Sequence, residues 1–203
     1  TSGGSGFGVM SIIVGIERGF ITRTEGVARW KKIVSFLKNT SQRYHGAWPH
    51  WLNGANGTTV PFSTKDNGAD LVETSYLIQG LLTVRQYLNP ADAEELQIIG
   101  DIQYLWESVE WDWFTRGGQN VLYWHWSPNY NWEMNFPIRG YNECLITYFL
   151  AACSPTHPIS APVYNIGWAN LGQIKNNNTY YGYQLPLGSA YGGPLFFAHY
   201  SFL

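Results

Sequence analysis

The fold is decided by the stretch Lys65-Asp66-Asn67-Gly68-Ala69-Asp70-Leu71-Val72-Glu73-Thr74-Ser75-Tyr76-Leu77-Ile78-Gln79-Gly80-Leu81-Leu82. It opens with the turn residues Asp-Asn-Gly and continues as a mostly apolar run that ends at Asn89-Pro90. An apolar run of this length between turn residues predicts a buried helix. Two carboxylates, Asp70 and Glu73, lie in its first turn, where residues three apart share a helix face. This end of the helix is therefore the first place to look for chemistry.

Apolar segments of the same kind recur along the chain. They begin near Gly6, Gly68, Gly140 and Gly193, roughly every 55 to 70 residues, which indicates an array of helical hairpins. Between them lie an amphipathic helix over 24–38, a charged helix over 91–110 and long loops. This order indicates hydrophobic inner helices, polar outer helices and long loops at one end. Loops of this length are usually functional. The pattern predicts an all-α fold of the α/α toroid type.

Three shorter elements complete the predicted fold. A strand over 121–126 and the turn Ser127-Pro128-Asn129-Tyr130 predict a short β-hairpin near 120–136. A short helix is expected over 161–174 and a third long loop over 175–193. The final apolar segment stops inside what should be another inner helix. We therefore expect residues 1–203 to be part of a single toroid domain, a partial ring that lacks the C-terminal part.

Composition narrows the classes of function. The 203 residues carry a formal charge of -2, only 13% are charged, and no basic stripe is present, which argues against a nucleic-acid partner. The apolar stretches are too short or too interrupted for a membrane span. Ten Trp and fourteen Tyr predict either a heavily aromatic core or a groove that stacks on flat ligands. Cys144 and Cys153 are expected to be buried thiols.

Asp70, Glu73 and Glu143 are the candidate catalytic residues. Asp70 and Glu73 also fit a capping box, in which both side chains only satisfy the helix start, and the pattern alone does not decide between the two interpretations. Glu143 occupies an early position of the next predicted inner helix. If alternate helices line a ring, both helix starts open onto one cavity. Glycoside hydrolysis needs such facing carboxylates, one as acid and one as base or nucleophile.

The aromatic loop residues are candidates for sugar binding. Flat rings suit pyranose faces, although packing within the loops is the alternative for each residue taken alone. Arg139 either orients a hydroxyl or, as we favour, pairs with Glu143. The five His show no HxH or HExxH spacing, so no metal site is expected. The predicted substrate-binding set is Trp48, Trp51, Trp124, His125, Trp126, Trp132 and Arg139.

Three motifs carry a resemblance to a known family. They are Asp66-Asn67-Gly68-Ala69-Asp70-Leu71-Val72-Glu73-Thr74, Tyr123-Trp124-His125-Trp126-Ser127-Pro128-Asn129-Tyr130 and Trp132-Glu133-Met134-Asn135-Phe136-Pro137-Ile138-Arg139-Gly140-Tyr141-Asn142-Glu143-Cys144. They resemble the glucoamylase-like proteins of Bacteroides-type bacteria, glycoside hydrolase family 144, which act on β-1,2-glucan. The similarity runs over essentially the whole chain.

The resemblance implies an (α/α)6 toroid in the periplasm or at the cell surface. It implies inverting hydrolysis of β-1,2-glucan or sophoro-oligosaccharides without a cofactor, and Asp70, Glu73 and Glu143 match the family's acidic residues. Members are longer than this chain. The alternatives are a glucoamylase that acts on α-glucans and a glycan-binding protein without turnover. A polysaccharide lyase is disfavoured, because the motifs carry one obvious arginine.

Overall fold

A computed structural model describes residues 1–202 of the chain. The chain is mainly helical with short strands, as predicted. The helices are α1 (Ser2–Glu17), α2 (Arg23–Asn39), α3 (Leu71–Tyr87), α4 (Ala93–Glu107), α5 (Leu145–Cys153) and α6 (Leu195–Phe202). The strands are β1 (Trp51–Leu52), β2 (Thr59–Val60), β3 (Ala69–Asp70), β4 (His125–Trp126), β5 (Lys175–Tyr180) and β6 (Tyr183–Leu187). None of the described helices is long and apolar enough to cross a bilayer.

The chain forms two compact units. The first unit comprises residues 1–110 together with 125–134, and it contains α1 to α4 and β1 to β4. The second unit comprises residues 111–124 and the residues from 135 onward, with α5, α6 and the β5–β6 hairpin. Each unit has its own buried aromatic and aliphatic side chains.

Close packing of α1 against α3 forms the centre of the first unit. A Cβ atom added at Gly80 would lie 2.2 Å from the carbonyl oxygen of Gly6, and one added at Gly6 would lie 2.1 Å from that of Tyr76. Glycine is therefore required at both positions, because any side chain would force the helices apart. The apolar face of α3, including Leu77 and Leu81, is fully buried.

The α2 and α4 helices correspond to the predicted amphipathic helix over 24–38 and the predicted charged helix over 91–110. Thr22 and Glu25 form a capping box at the start of α2. The two helices are joined by ion pairs, of which the Arg23–Glu95 pair is bidentate with distances of 2.8 and 2.6 Å. The Glu95 side chain is almost buried, which favours this geometry over an exposed pair. The other two pairs are Lys31–Glu94 and Lys38–Asp101.

The prediction of a third long loop over 175–193 is wrong, because residues 175–187 form an antiparallel hairpin. Tyr181 and Gly182, which join its strands, both have positive φ, at 51° and 84°. This is the backbone of a two-residue hairpin turn whose twist matches the flanking strands. The predicted helix over 161–174 is instead a π-helix over Val163–Trp168 followed by a 3₁₀ turn over Asn170–Gly172.

The hairpin predicted near 120–136 also differs from the observed pairing. Single antiparallel bridges join Tyr123 to Pro137 and Ser127 to Asn131, but the regular strand β4 pairs with β3, at the start of α3. The sequence pattern identified the strand but not its partner, which lies more than fifty residues earlier in the chain. Of the two cysteines, Cys144 is buried as expected, whereas Cys153 is exposed.

Candidate active site

Asp70 caps the start of α3. One carboxylate oxygen, Oδ1, accepts hydrogen bonds from the backbone N–H groups of Val72 at 3.1 Å and Glu73 at 3.0 Å. These are two of the donors that a helix start leaves without intrahelical partners. The half of the predicted capping box in which the Asp70 side chain accepts from the helix backbone is therefore present. The reciprocal half is absent, because Asp70 N donates to the carbonyl of Trp48 and the Glu73 side chain points elsewhere.

The second oxygen of Asp70 belongs to a carboxylate–imidazole pair. His50 Nδ1 lies 2.9 Å from Asp70 Oδ2. Asp70 is fully buried, while about a fifth of the His50 side chain is exposed. The hydrogen bond to Asp70 raises the pKa of His50, and burial opposes that rise.

Asp66 adds a second buried carboxylate beside this pair. The residue is 5% exposed, and its Oδ1 lies 3.5 Å from Nδ1 of His125. His125 is brought there by β4, whose register places it opposite Asp70. Asn67 reinforces the junction, since it accepts a 2.6 Å hydrogen bond from the hydroxyl of Ser127. Two carboxylates and two imidazoles therefore meet at the start of α3.

The Glu73 carboxylate is held by the start of α1. Its Oε2 accepts a hydrogen bond from the backbone N–H of Gly3 at 2.7 Å. A Cβ atom added at Gly3 would lie 2.9 Å from the same oxygen, so the contact depends on glycine. Glu73 is only partly buried, unlike Asp66 and Asp70. The helix start thus carries two enclosed carboxylates and one that retains access to solvent.

An exposed aromatic cluster adjoins His50. The ring of Phe62 lies 4.4 Å from that of His50, and the ring of Trp51 lies 4.9 Å from that of Phe62. Trp51 is 38% exposed and Phe62 52% exposed. Large aromatic faces open to solvent beside polar groups suit stacking on a sugar ring. The cluster therefore supports the predicted role of Trp51 and adds Phe62 to it.

The remaining aromatic candidates differ in their surroundings. Trp48 has no exposed surface, and its indole N–H donates to the hydroxyl of Ser41 at 2.8 Å. Trp48 is therefore a core residue, which agrees with the alternative of packing within the loops and not with the predicted sugar contact. Trp126 and Trp132 are partly exposed in the first unit, and Trp126 makes an edge contact with His45. Trp124, in the second unit, packs against Phe136 at 5.4 Å.

Glu143 belongs to the second unit and precedes α5 rather than lying in its first turn. The side chain of Asn142 accepts a hydrogen bond from Cys144 N at 3.0 Å, and α5 begins only at Leu145. Burial raises the pKa of the Glu143 carboxyl. Its predicted position facing Asp70 and Glu73 stays a prediction.

Arg139 does not make the ion pair with Glu143 that we favoured. Its Nη1 donates to the backbone carbonyls of Ile166 at 3.2 Å and Gly167 at 3.4 Å. The guanidinium is exposed apart from these contacts, so it holds two backbone segments of the second unit together and retains donors for a ligand. The alternative of orienting a hydroxyl therefore stays a prediction.

Among residues 1–202, one group has a geometry that could hold a metal ion: His50, Asp66 and Asp70, with ligand atoms within 4.8 Å of one another. The prediction of no metal considered only motifs of nearby residues and could not detect this group. Both Asp70 oxygens and the His50 nitrogen that faces them already engage in hydrogen bonds. An ion would have to displace the 2.9 Å contact, so we interpret the group as a hydrogen-bonded cluster.

Sequence reasoning missed Asp66 and Phe62 and did not connect His50 with Asp70. Asp66 lies four residues before Asp70 in the same motif, and its turn-forming position suggested only a loop role. The structure shows that this turn buries its carboxylate. His50 contacts Asp70 from the preceding loop, and Phe62 packs against His50; no local pattern in the sequence indicates either contact.

The chain is similar to proteins named as β-1,2-glucan hydrolases. The family model described as "Glycoamylase: Putative glucoamylase" matches residues 135–203. The exo-β-1,2-glucooligosaccharide sophorohydrolase (non-reducing end) of Parabacteroides distasonis is 48% identical over 100% of this chain, which covers 30% of that relative. The predicted resemblance is therefore confirmed.

Solved structures extend the similarity to the fold. The endo-β-1,2-glucanase from Chitinophaga pinensis, in complex with sophorotriose and glucose, gives a TM-score of 0.95 at 59% identity over 100% of this chain and 49% of its own. A putative glucoamylase from Bacteroides uniformis gives a TM-score of 0.96 at 55% identity, over 100% of this chain and 50% of its own. These neighbours confirm the predicted helical toroid fold class. The chain spans half or less of the length of these relatives.

Proposed function

We propose that the full-length protein containing this chain is a glycoside hydrolase that cleaves the glucosidic bonds of β-1,2-glucan or sophoro-oligosaccharides. One observation carries the proposal: the buried Asp66 and Asp70 carboxylates and the more accessible Glu73 meet at one helix start. Relatives named for action on β-1,2-glucans match the chain over its whole length. A periplasmic or cell-surface location stays a prediction of the resemblance.

Carboxylates supply what this reaction needs. One carboxylic acid protonates the leaving oxygen while a second carboxylate activates water, and an inverting enzyme uses both in a single displacement. Glu143 suits the role of acid, because burial raises the pKa of its carboxyl. Asp66 and Glu73 are the candidates for the base, since Asp70 already uses both oxygens within the protein. The exposed rings of Trp51 and Phe62 provide a face for a glucosyl unit.

The two alternatives predict different behaviour. A glucoamylase would release glucose from maltose and starch. A glycan-binding protein would retain a sugar through the Trp51 and Phe62 cluster without any turnover. The accessible Glu73 and the raised pKa of Glu143 favour hydrolysis over binding alone, because acid–base chemistry uses such carboxyl groups and a stacking surface does not.

The test is a substrate panel for the purified full-length protein. It is incubated with β-1,2-glucan, sophorose, maltose and starch, and the released sugars are quantified. We expect release from at least one β-1,2 substrate and none from the α-linked ones. Release from starch or maltose alone would replace the proposal with the glucoamylase alternative. Bound β-1,2-glucan with no release from any substrate would favour the binding protein.

A further inference from the structure

His50 is placed by backbone hydrogen bonds that connect its loop to two helix starts. The backbone N–H of Ser2, at the start of α1, donates to the His50 carbonyl at 3.0 Å, and the Ser2 hydroxyl donates to the Pro49 carbonyl at 2.6 Å. At the start of α3, the N–H of Asp70 donates to the Trp48 carbonyl at 2.9 Å. The loop is therefore held on both sides, and the imidazole has a defined position.

The imidazole has a defined orientation as well. Its Nδ1 lies 2.9 Å from Asp70 Oδ2, and the rings of Phe62 and Trp51 lie 4.4 and 5.7 Å away. A carboxylate can only accept, so Nδ1 carries the hydrogen and donates it to Asp70. No hydrogen bond from the second ring nitrogen, Nε2, to any residue within 1–202 is found. Nδ1 is thus the atom through which His50 acts on the cluster.

Asp70 depends on this donor. Helix capping holds Oδ1 through the N–H groups of Val72 and Glu73, but those bonds supply no donor to Oδ2. His50 Nδ1 supplies that donor. Asp70 is fully buried, so loss of the donor would leave a carboxylate oxygen enclosed without its partner.

We propose that His50 is a positioning residue for the hydrolysis: its Nδ1–H holds the Asp70 carboxylate, which accepts a hydrogen bond from the backbone N–H of Glu73 and so fixes the helix start that carries this candidate base. This inference rests on the proposed function, because it concerns the same site.

The electrostatic surroundings of His50 support the role. Asp70 lies against the imidazole, and the carboxylates of Glu73 and Asp66 also favour a positive charge on it. The hydrogen bond to Asp70 is the largest cause of the raised pKa, with burial opposing it. A charged donor makes a stronger hydrogen bond to a carboxylate than a neutral one.

Two amide substitutions distinguish the roles of the two ring nitrogens of His50. In His50→Asn the side-chain amide can take the place of Nδ1, whereas in His50→Gln it reaches the place of Nε2. In the full-length protein acting on β-1,2-glucan, we expect His50→Gln and His50→Ala to lower kcat by about 10²-fold with little change in KM. His50→Asn should retain kcat within about tenfold of the wild type, because it restores the donor to Asp70.

The matched control is His157→Asn. His157 makes the same kind of contact, Nδ1 to Asp112 Oδ1 at 3.1 Å, between two residues of the second unit to which no catalytic or binding role is assigned. The His157→Asn substitution should leave kcat unchanged. Thermal unfolding of each variant identifies any loss of fold, and the Asn and Gln variants decide the question if His50→Ala does not fold.

The outcomes are distinguishable. An active wild type whose His50→Asn variant is as slow as His50→Ala, or whose His50→Gln variant keeps full kcat, would overturn the positioning role alone. A wild type that releases no sugar from β-1,2-glucan or sophorose would overturn the proposed function, and this inference with it.

Discussion

At the scale of single residues, each acid has a different environment, which separates roles that the sequence left open. Asp70 caps the start of α3 and accepts a hydrogen bond from His50. Asp66 is buried beside His125, and Glu73 accepts a hydrogen bond from the backbone of Gly3. The sequence offered a choice between capping and catalysis for Asp70 and Glu73. The structure shows capping for Asp70, but it directs the Glu73 side chain away from the box, to the start of another helix.

Glu143 carries the pH dependence of the proposed reaction. Burial raises the pKa of its carboxyl above the ordinary value of 4.5, so the protonated form persists to higher pH. If Glu143 donates the proton, kcat of the full-length protein on β-1,2-glucan should fall as pH rises through that raised pKa. The check is a kcat–pH profile. A rate that stays constant from acidic pH to well above neutrality would assign the acid role to another group.

The aromatic residues show why composition alone could not define the sugar-binding surface. Trp48 and Trp51 are three residues apart, yet one is fully buried and the other is 38% exposed. Their different exposure depends on the loop path, which is set by contacts with Ser41 and with the start of α3. The contact with the start of α3 joins residues 48 and 70, so no periodicity in the sequence reports it.

At the scale of elements, the long helices could be predicted and the short pairings could not. The apolar period of α3 and the amphipathic period of α2 determine both helices to within a few residues. Strand β4 has two residues and takes its partner from the start of α3. Its register depends on Gly68, where a Cβ atom would lie 2.3 Å from the Trp126 carbonyl oxygen.

The contact between α1 and α3 yields a prediction about stability. In Gly80→Ala the new methyl would meet the Gly6 carbonyl, at 2.2 Å in the present backbone, so the helices must separate. We expect the free energy of unfolding of the full-length protein to fall by about 1–3 kcal/mol or more, measured by urea denaturation.

The matched control for Gly80→Ala is Gly100→Ala in α4. Gly100 is exposed and has open space around it, so alanine should stabilise the helix by about 0.5–1 kcal/mol. If both substitutions changed the free energy of unfolding alike, the close approach of α1 and α3 would not be supported.

At the scale of the whole molecule, the full-length protein is proposed to invert the configuration of the sugar that it releases. Single displacement at a β-glucosidic bond gives the α-anomer first. Proton NMR of β-1,2-glucan within the first minutes of hydrolysis should therefore show the α-anomer signal rising ahead of the β-anomer. Early appearance of the β-anomer would indicate a covalent intermediate and a nucleophilic carboxylate instead.

The most direct test of the central claim is kcat on β-1,2-glucan for the wild type beside Glu73→Gln, Asp66→Asn and Glu143→Gln, all in the full-length protein. The control is Glu94→Gln, whose carboxylate makes an exposed pair with Lys31. We expect the three site variants to lose at least about 10²-fold in kcat while the control keeps it. Site variants as fast as the wild type would contradict the assignment of catalysis to these carboxylates.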